Sequence, residues 1–264
     1  MKLRARGIRA LIGAVAVAAG LVVGASPAEA INHGRESELY NFPGLVGVSN
    51  SKTRDHVCGG TLIASDAVLT AAHCVVTVDR STSPRELRVR VGSNNASSGG
   101  KLIEVKRINV HPGFAPTLQG PDDYDLAVLH LKHRVESKVM KPAVLATTSP
   151  RAGDKLTAAG WGNDDANHQV QQLPAKLRAV NLTVLSHNEC KLKLKGDLYP
   201  NMRCAQSKSD IHAGYGQGDS GGPNYVNGKV VGVTSWQEDG KPAVFSSAYS
   251  GRAHKWVTKF LKGH

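Results

Sequence analysis

Apolar and polar residues alternate along several short stretches of the chain, as they do in half-buried β-strands. Apolar side chains occupy every second position at 87–91 and at 180–184, and a valine-rich run lies at 230–233. Glycine, asparagine, serine and proline separate such stretches, and Asn227-Gly228 is a hairpin signal. The pattern predicts an all-β fold of many short antiparallel strands.

The one convincing helical pattern lies at the carboxyl end of the chain. Ser250 can cap a helix there, and the apolar residues that follow fall on one face: Trp256, Val257, Phe260 and Leu261. Between 132 and 150 the chain is polar and lacks a strand pattern, which suggests a link between two halves. We expect one barrel-like half at about 45–140, another at about 150–249 and the helix at about 250–262.

Residues 1–30 have the three parts of a secretory signal peptide. A basic start precedes an apolar run at Ala10–Val23, and Ala28-Glu29-Ala30 provides the small residues of a cleavage site. The apolar run is short for a membrane span. We therefore expect a mature, secreted chain of residues 31–264 without a membrane anchor, and the alanine-rich signal suggests a bacterial source.

The full sequence carries a formal net charge of +12, and removal of residues 1–30 leaves +9, because four basic residues and one acidic residue are lost. A basic surface can attract nucleic acids and other anionic polymers. The charges are scattered, however, and aromatic residues do not alternate with them. We expect a solvated basic surface and no nucleic-acid partner.

The four cysteines of a chain predicted to be exported should form disulfides. They fall into two neighbouring pairs, Cys58 with Cys74 and Cys190 with Cys204, and pairing neighbours closes one short loop in each half. His73 beside Cys74 raises the alternative of a metal site, but no Cys-x-x-Cys spacing supports it. We predict no metal and no other cofactor.

The run from Gly218 to Pro223 concentrates the candidate chemistry. Ser220 stands between glycines and beside Asp219, where a substrate carbonyl can approach the backbone and amide groups can bind an oxyanion. Acyl transfer by a serine also needs a base and a carboxylate that orients the base. His73 follows small, closely packable residues, and Asp125 heads an apolar strand where a partly buried acid needs a partner.

These motifs resemble those of the chymotrypsin-like serine endopeptidases, and the resemblance extends over 31–264. It rests on five segments: Cys58–Ile63 leading to Thr70–Cys74, Asp125–Leu129, Ala159–Gly162, Gly218–Pro223 and Thr234–Trp236. The resemblance implies two six-stranded antiparallel β-barrels, with the active site between them and a helix at the end. Ser220 would attack the substrate, His73 would move the proton, and Asp125 would hold the imidazole tautomer.

The family likeness implies further roles and partners. The backbone amides of Gly218 and Ser220 would form the oxyanion hole. Substrates would be proteins or peptides, a protein protease inhibitor is a candidate partner, and we expect a monomer. The alternative is a binding protein on a protease scaffold. The residues Gly218–Gly222 also match Gly-x-Ser-x-Gly, the motif of the nucleophile elbow in α/β-hydrolases. Pro223 and the hairpin signal after it argue against that fold.

Ile31-Asn32-His33-Gly34 resembles the amino terminus that members of this family expose on activation. In the family, the freed α-ammonium pairs with the aspartate before the serine, here Asp219, and shapes the oxyanion loop. The predicted signal cleavage falls directly before Ile31, so we expect export itself to generate the active enzyme. Asn32 and His33 depart from the usual Val-Gly pair.

The predicted specificity pocket departs most from the family pattern. Gly214 occupies the position at its base, where trypsin-like members carry an acid, and Tyr215 beside it is larger than usual. At Gly216 the disulfide that braces this wall in many relatives is missing. The other predicted wall positions carry side chains: Gln217, Ser235, Trp236, Gln237 and Ala243. We expect a narrow pocket for small or medium apolar side chains, or a partly collapsed one that opens with substrate. Trypsin-like and acidic selectivity stay as alternatives.

The loop Gly92–Lys101 corresponds to the calcium loop of some relatives. It holds Asn94 and Asn95 but no carboxylate, the ligand that calcium prefers. We predict that this loop binds no calcium.

Overall fold

The computed structural model describes residues 31–117, 120–121, 123–163, 176–196, 198–249 and 251–261. The predicted signal peptide and the helix cap at Ser250 lie outside the described residues. Two α-helices are described, α1 (His187–Lys193) and α2 (Gly251–Thr258), with 3-10 turns at Leu39–Asn41 and Pro84–Glu86. The described strands are β1 (Arg35–Glu36), β2 (Leu45–Asn50), β3 (His56–Ala64), β4 (Ala67–Thr70), β5 (Leu87–Val91), β6 (Lys101–Val110), β7 (Pro116–Thr117), β8 (Gly120–Pro121), β9 (Ala127–Leu131), β10 (Lys155–Gly160), β11 (Arg178–Val184), β12 (Met202–Gln206), β13 (Pro223–Val226), β14 (Lys229–Trp236) and β15 (Ala243–Ser247).

The first barrel closes six antiparallel strands in the order β2-β3-β4-β9-β6-β5. The alternation at 87–91 has the predicted effect, since Leu87, Val89 and Val91 all lie in its core. Branched side chains fit the pleated, inward-facing surface of such strands. Burial of these apolar side chains stabilises the barrel.

The second barrel contains β11, β10, β13, β14, β15 and β12, and a pairing of β11 with β12 closes it. Strand β1 extends this sheet by pairing with β11. The β13–β14 hairpin turns at Asn227 and Gly228, which have φ values of 51° and 72°. Two residues with positive φ make the type I′ turn expected from the Asn-Gly pair. The prediction of two six-stranded antiparallel barrels is confirmed.

A third buried cluster lies between the two barrels and holds them together. It combines Leu69 and Leu126 from the first half with Trp161 and Val233 from the second. Helix α2 contributes Val257 to the same cluster. The segment 132–154, which contains no strand, joins the barrels, as its polar sequence suggested. The barrel interface therefore brings the loops that carry His73, Asp125 and Ser220 together.

The expectation of a single helix, at the carboxyl end of the chain, is wrong, because α1 forms a second one. A capping box starts it, because Ser186 accepts a hydrogen bond from the Glu189 amide and the Glu189 side chain bonds back to Ser186. The Cys190–Cys204 disulfide ties this helix to β12. Among the described residues, no helix is both long and apolar enough to cross a membrane.

Candidate active site

His73 and Asp125 meet at the barrel interface through two hydrogen bonds. The loop after β4 brings His73 there, and the completely buried Asp125 precedes β9. The ring Nδ1 lies 2.7 Å from Asp125 Oδ2, and the His73 amide donates to Oδ1 at 2.9 Å. Burial alone would lower the pKa of His73, but the charge and hydrogen bond of Asp125 outweigh it and raise that pKa.

A third hydrogen bond completes the environment of the Asp125 carboxylate. Ser235, predicted at the pocket wall, donates its hydroxyl to Asp125 Oδ2 at 2.6 Å. The residue before the aspartate, Tyr124, stacks on His111 with ring centroids 4.3 Å apart, and Trp256 of α2 packs edge-on against His111. The C-terminal helix thus supports the loop that positions the carboxylate.

Ser220 is anchored to the His73 side of the interface through its backbone. Its carbonyl accepts a hydrogen bond from the Gly59 amide at 2.7 Å, and Gly59 follows Cys58, which forms a disulfide with Cys74. Among the described residues, the side chains of Ser220 and His73 share no hydrogen bond. Such bonds are often loose before substrate binds and tighten in the complex.

The loop before Ser220 leaves two amide donors available. Gly218 has a φ of 98°, a conformation that favours glycine. In the described part of the chain, neither the Gly218 amide nor the Ser220 amide donates a hydrogen bond. Two free backbone donors on a glycine-rich turn can bind a negatively charged oxygen.

His56 supports the loop before Ser220 through a hydrogen bond to its backbone. Its Nε2 donates to the Gly218 carbonyl at 2.9 Å, and its ring packs edge-on against Trp161. Burial lowers the pKa of His56 to about 4, so the ring is neutral at ordinary pH. A carbonyl only accepts, which fixes the proton on Nε2. Sequence reasoning missed this residue, because a histidine at the start of β3 carries no signal of contact with residue 218.

Asp219 lies buried beside the segment Gly160–Gly162. Its Oδ1 accepts from the Gly162 amide at 2.8 Å and its Oδ2 from the Gly216 amide at 2.7 Å. A Cβ atom at Gly160 would lie only 2.1 Å from Oδ1, so glycine is needed there. Burial raises the pKa of Asp219 to about 7, against the effect of the two amide donors. A nearby positive charge would therefore have a strong effect on this carboxyl group.

Ile31 enters the same region from the amino-terminal side. Its side chain is fully buried, and its nitrogen, a peptide nitrogen in the full chain, donates to the Gly162 carbonyl at 3.1 Å. Gly162 in turn donates to Asp219. The structure therefore places both members of the predicted activation pair on the same glycine, one on each side of its backbone.

A model of the trypsin family matches residues 31–257 of the chain. The chain belongs to the trypsin family of serine endopeptidases. Trypsin alpha-4 of Lucilia cuprina is 32% identical over 207 residues, covering 77% of this chain and 75% of the relative. Trypsin of Sarcophaga bullata is 32% identical over 241 residues, covering 88% and 89%.

A solved structure shares the architecture of this trypsin-family chain. Neuropsin, a serine protease expressed in the limbic system of mouse brain, aligns with a TM-score of 0.75 at 28% identity, covering 88% of this chain and all of that one. The curated trypsins come from insects, so the expectation of a bacterial source is not supported.

Gln237 occupies the base of the predicted specificity pocket of this trypsin-family chain. Its Oε1 accepts from the Tyr215 amide at 2.6 Å, and its Nε2 donates to the Lys241 carbonyl at 3.1 Å. A Cβ atom at Gly214 would lie 1.9 Å from Oε1. The side chain therefore covers Gly214, and two hydrogen bonds hold it there.

The Tyr215 side chain points away from Gln237 and into the core of the second barrel. Its hydroxyl donates to Asn224 Oδ1 at 2.5 Å, and Asn224 donates to the Thr234 hydroxyl at 3.0 Å. Burial raises the pKa of the Tyr215 phenol. Tyr215 therefore contributes backbone to the pocket, while its ring fills the barrel.

The remaining predicted pocket residues divide between surface and core. Gln217 is exposed and pairs through its backbone with Asn163. Trp236 is partly buried at the end of β14, and Ala243 is buried on β15. Neither described disulfide braces the segment at Gly216, because they join Cys58 to Cys74 and Cys190 to Cys204. The structure thus brings Gln237 against Gly214, while Trp236 packs against the cluster around the Cys190–Cys204 disulfide.

Two groups of residues resemble metal sites, but other contacts already use their candidate ligand atoms. Cys58, His73 and Cys74 lie close together, but both sulfurs are used in the disulfide and His73 Nδ1 bonds Asp125. In the loop Gly92–Lys101, the Arg90 guanidinium donates to the carbonyls of Ala96, Ser97 and Gly99 at 2.5–2.9 Å. The buried Arg90 guanidinium thus binds the carbonyls of this loop.

Proposed function

We propose that the mature chain is a secreted serine endopeptidase that cleaves peptide bonds through an acyl-enzyme on Ser220. The observation that carries the proposal is the buried Asp125 carboxylate, which accepts two hydrogen bonds from His73 and one from Ser235. A binding protein would gain nothing from an imidazole held in this way. The predicted export signal at residues 1–30 supports secretion.

In the first half of the reaction, Ser220 Oγ forms a bond to the substrate carbonyl carbon while His73 Nε2 takes the hydroxyl proton. The amides of Gly218 and Ser220 stabilise the oxyanion of the tetrahedral intermediate. His73 then gives its proton to the leaving amine as the peptide bond breaks. Asp125 stabilises the imidazolium that forms on His73.

In the second half, a water molecule takes the place of the amine. His73 accepts a proton from the water as its oxygen attacks the acyl carbon, and then returns that proton to Ser220 Oγ. Asp125 fixes the proton on Nδ1, which leaves Nε2 free for both transfers. The cycle releases the acid product and restores the serine.

We further propose that the enzyme prefers small or medium apolar residues before the cleaved bond. Gln237 covers Gly214, and the described pocket wall places no carboxylate at that position. A lysine or arginine side chain would therefore find no counter-charge at the base. A larger side chain would have to displace Gln237 from its hydrogen bonds with Tyr215 and Lys241.

Maturation would follow from removal of residues 1–30. The new α-ammonium of Ile31 would lie beside Gly162 and could pair with Asp219, whose buried carboxyl needs a counter-charge. A mature chain with one extra residue before Ile31 should lose most of its activity. Full activity of that form would contradict the proposal.

Labelling by a serine-directed phosphonate tests the catalytic assignment directly. Mature wild-type protein should be labelled at one residue, Ser220, and hydrolyse peptides, while folded Ser220→Ala should do neither. The exposed Ser209 offers a matched control, since Ser209→Ala should be labelled as the wild type is. No labelling of folded wild type would overturn the enzyme proposal.

A further inference from the structure

The first three residues of the proposed mature chain form a nitrogen-rich chelating sequence. A free amino-terminal residue, followed by a residue other than proline and then by a histidine, offers four nitrogen ligands in a row. Here these are the α-amine of Ile31, the amides of Asn32 and His33, and Nδ1 of the His33 ring. Four nitrogens in one plane suit the square-planar geometry of Cu²⁺ or Ni²⁺.

We propose that the mature terminus Ile31-Asn32-His33 chelates Cu²⁺ or Ni²⁺, and that chelation withdraws it from the Asp219 pocket and switches the protease off. The inference rests on the proposed maturation before Ile31. On binding, the α-ammonium loses one proton and each of the two amides loses one, and the metal forms bonds to these nitrogens and to the imidazole. No redox step is involved.

The docked and chelated states exclude each other because they place the same nitrogen differently. In the docked state, the Ile31 nitrogen bonds Gly162 inside the protein, and the Ile31 side chain is fully buried. The His33 side chain is 55% exposed and its Nδ1 faces Asp210 at the surface. A metal that binds both ends must draw Ile31 out towards the exposed ring.

The docked terminus also carries costs that favour its release. His33 has a φ value of 54°, the left-handed conformation that a residue with a side chain adopts at an energetic cost. In the described part of the chain, the buried Oδ1 of Asn32 has no hydrogen-bond partner. A buried polar atom without a partner loses its hydration without compensation. A ligand that binds only the released state shifts the balance by its full binding free energy.

The experiment compares secreted wild type, His33→Ala and His212→Ala, each with one equivalent of Ni²⁺ or Cu²⁺ in a buffer that does not bind metals. The visible absorption of the square-planar complex reports binding, and hydrolysis of a peptide with alanine before the cleaved bond reports activity. Each variant is compared with its own metal-free activity. His212 is the matched control, because its ring lies 6.4 Å from that of His33 but its Nδ1 bonds Asp239 and it is not one of the four proposed ligands.

We expect wild type and His212→Ala to show the absorption band and lose activity by about tenfold or more, with recovery on adding EDTA. His33→Ala should show neither effect. The full chain with residues 1–30 attached should give no band, since its Ile31 nitrogen is a peptide nitrogen. Inhibition of His33→Ala to the same extent as wild type, or a band in the full chain, would overturn the site.

Two further readings separate this inference from the proposed function. The band is measured on Ser220→Ala as well, where binding does not depend on catalysis, so an inactive wild type would refute the enzyme proposal and leave the metal site standing. Mass spectrometry of the secreted chain identifies its first residue, and a terminus other than Ile31 overturns the site. A band without loss of activity overturns the switch.

Discussion

Replacement of Gln237 by glycine would uncover the base of the specificity pocket. The side chain now bonds the Tyr215 amide at 2.6 Å and the Lys241 carbonyl at 3.1 Å. Its Oε1 lies 1.9 Å from the place where a Cβ of Gly214 would be. Substrate side chains therefore cannot reach Gly214 while Gln237 keeps this position. Without the Gln237 side chain, a leucine or phenylalanine could extend to the bottom of the pocket.

The size of the gain follows from the apolar surface that the longer side chain would bury. Full burial of leucine or phenylalanine contributes about 1.5–3 kcal/mol. Because about 1.4 kcal/mol is a factor of ten, kcat/KM for phenylalanine relative to alanine should rise by about 10–100-fold. The Tyr215 amide loses its acceptor, but water can enter the opened pocket, so the free energy of unfolding should fall by no more than about 1–3 kcal/mol.

The assay uses three peptides that differ only in the residue before the cleaved bond, which is alanine, leucine or phenylalanine. Values of kcat/KM are measured for wild type, Gln237→Gly and Glu238→Ala, the last being an exposed neighbour whose side chain contacts Lys241. Glu238→Ala should keep the wild-type ratio. An unchanged phenylalanine-to-alanine ratio in folded Gln237→Gly would show that Gln237 does not limit the pocket.

Three further predictions concern the support of the site. Ser235→Ala should lower kcat/KM by about tenfold, because the Asp125 carboxylate loses a hydrogen bond worth about 1.5 kcal/mol; equal rates would refute this role. Arg90→Ala should lower the free energy of unfolding by about 3 kcal/mol in chemical denaturation, and added Ca²⁺ should not restore it, since the loop has no carboxylate. The acid limb of kcat/KM should follow His73, which works as a neutral base, so activity is lost as pH falls through its raised pKa; Asp125→Asn should move that limb to lower pH, and a limb that stays in place would contradict the assignment.

Strand patterns and turn chemistry made most of the fold predictable. The alternation at 87–91 places three apolar side chains in the first barrel, and Asn227-Gly228 forms the hairpin turn. Helix α1 escaped prediction although Ser186 and Glu189 provide a capping box. With seven residues, of which only Cys190 is buried, it is too short to produce a clear helical period.

The motif residues of the site were predictable, while the contacts that tune it were not. His56 and Gly218 are 162 positions apart in sequence, and only the packing of the first barrel against the second brings them together. In the sequence Arg90 looks like an ordinary strand residue. Only in the folded chain do the carbonyls of the loop after β5 surround its guanidinium. The direction of the Tyr215 ring likewise depends on Asn224 and on the space inside the second barrel.

The two oxygens of Asp219 link catalysis to specificity. Through Oδ1 the carboxylate holds Gly162, which contacts the Ile31 nitrogen, and through Oδ2 it holds Gly216, two residues from the base of the pocket. No disulfide braces the Gly216 segment in the described structure, so hydrogen bonds support it, among them those to this carboxylate and to the Asn163 backbone. A buried carboxyl with a pKa of about 7 keeps its charge at neutral pH only with a counter-charge nearby. The proposed ammonium of Ile31 would therefore stabilise the oxyanion loop and the pocket wall together, because both depend on the same ionised group.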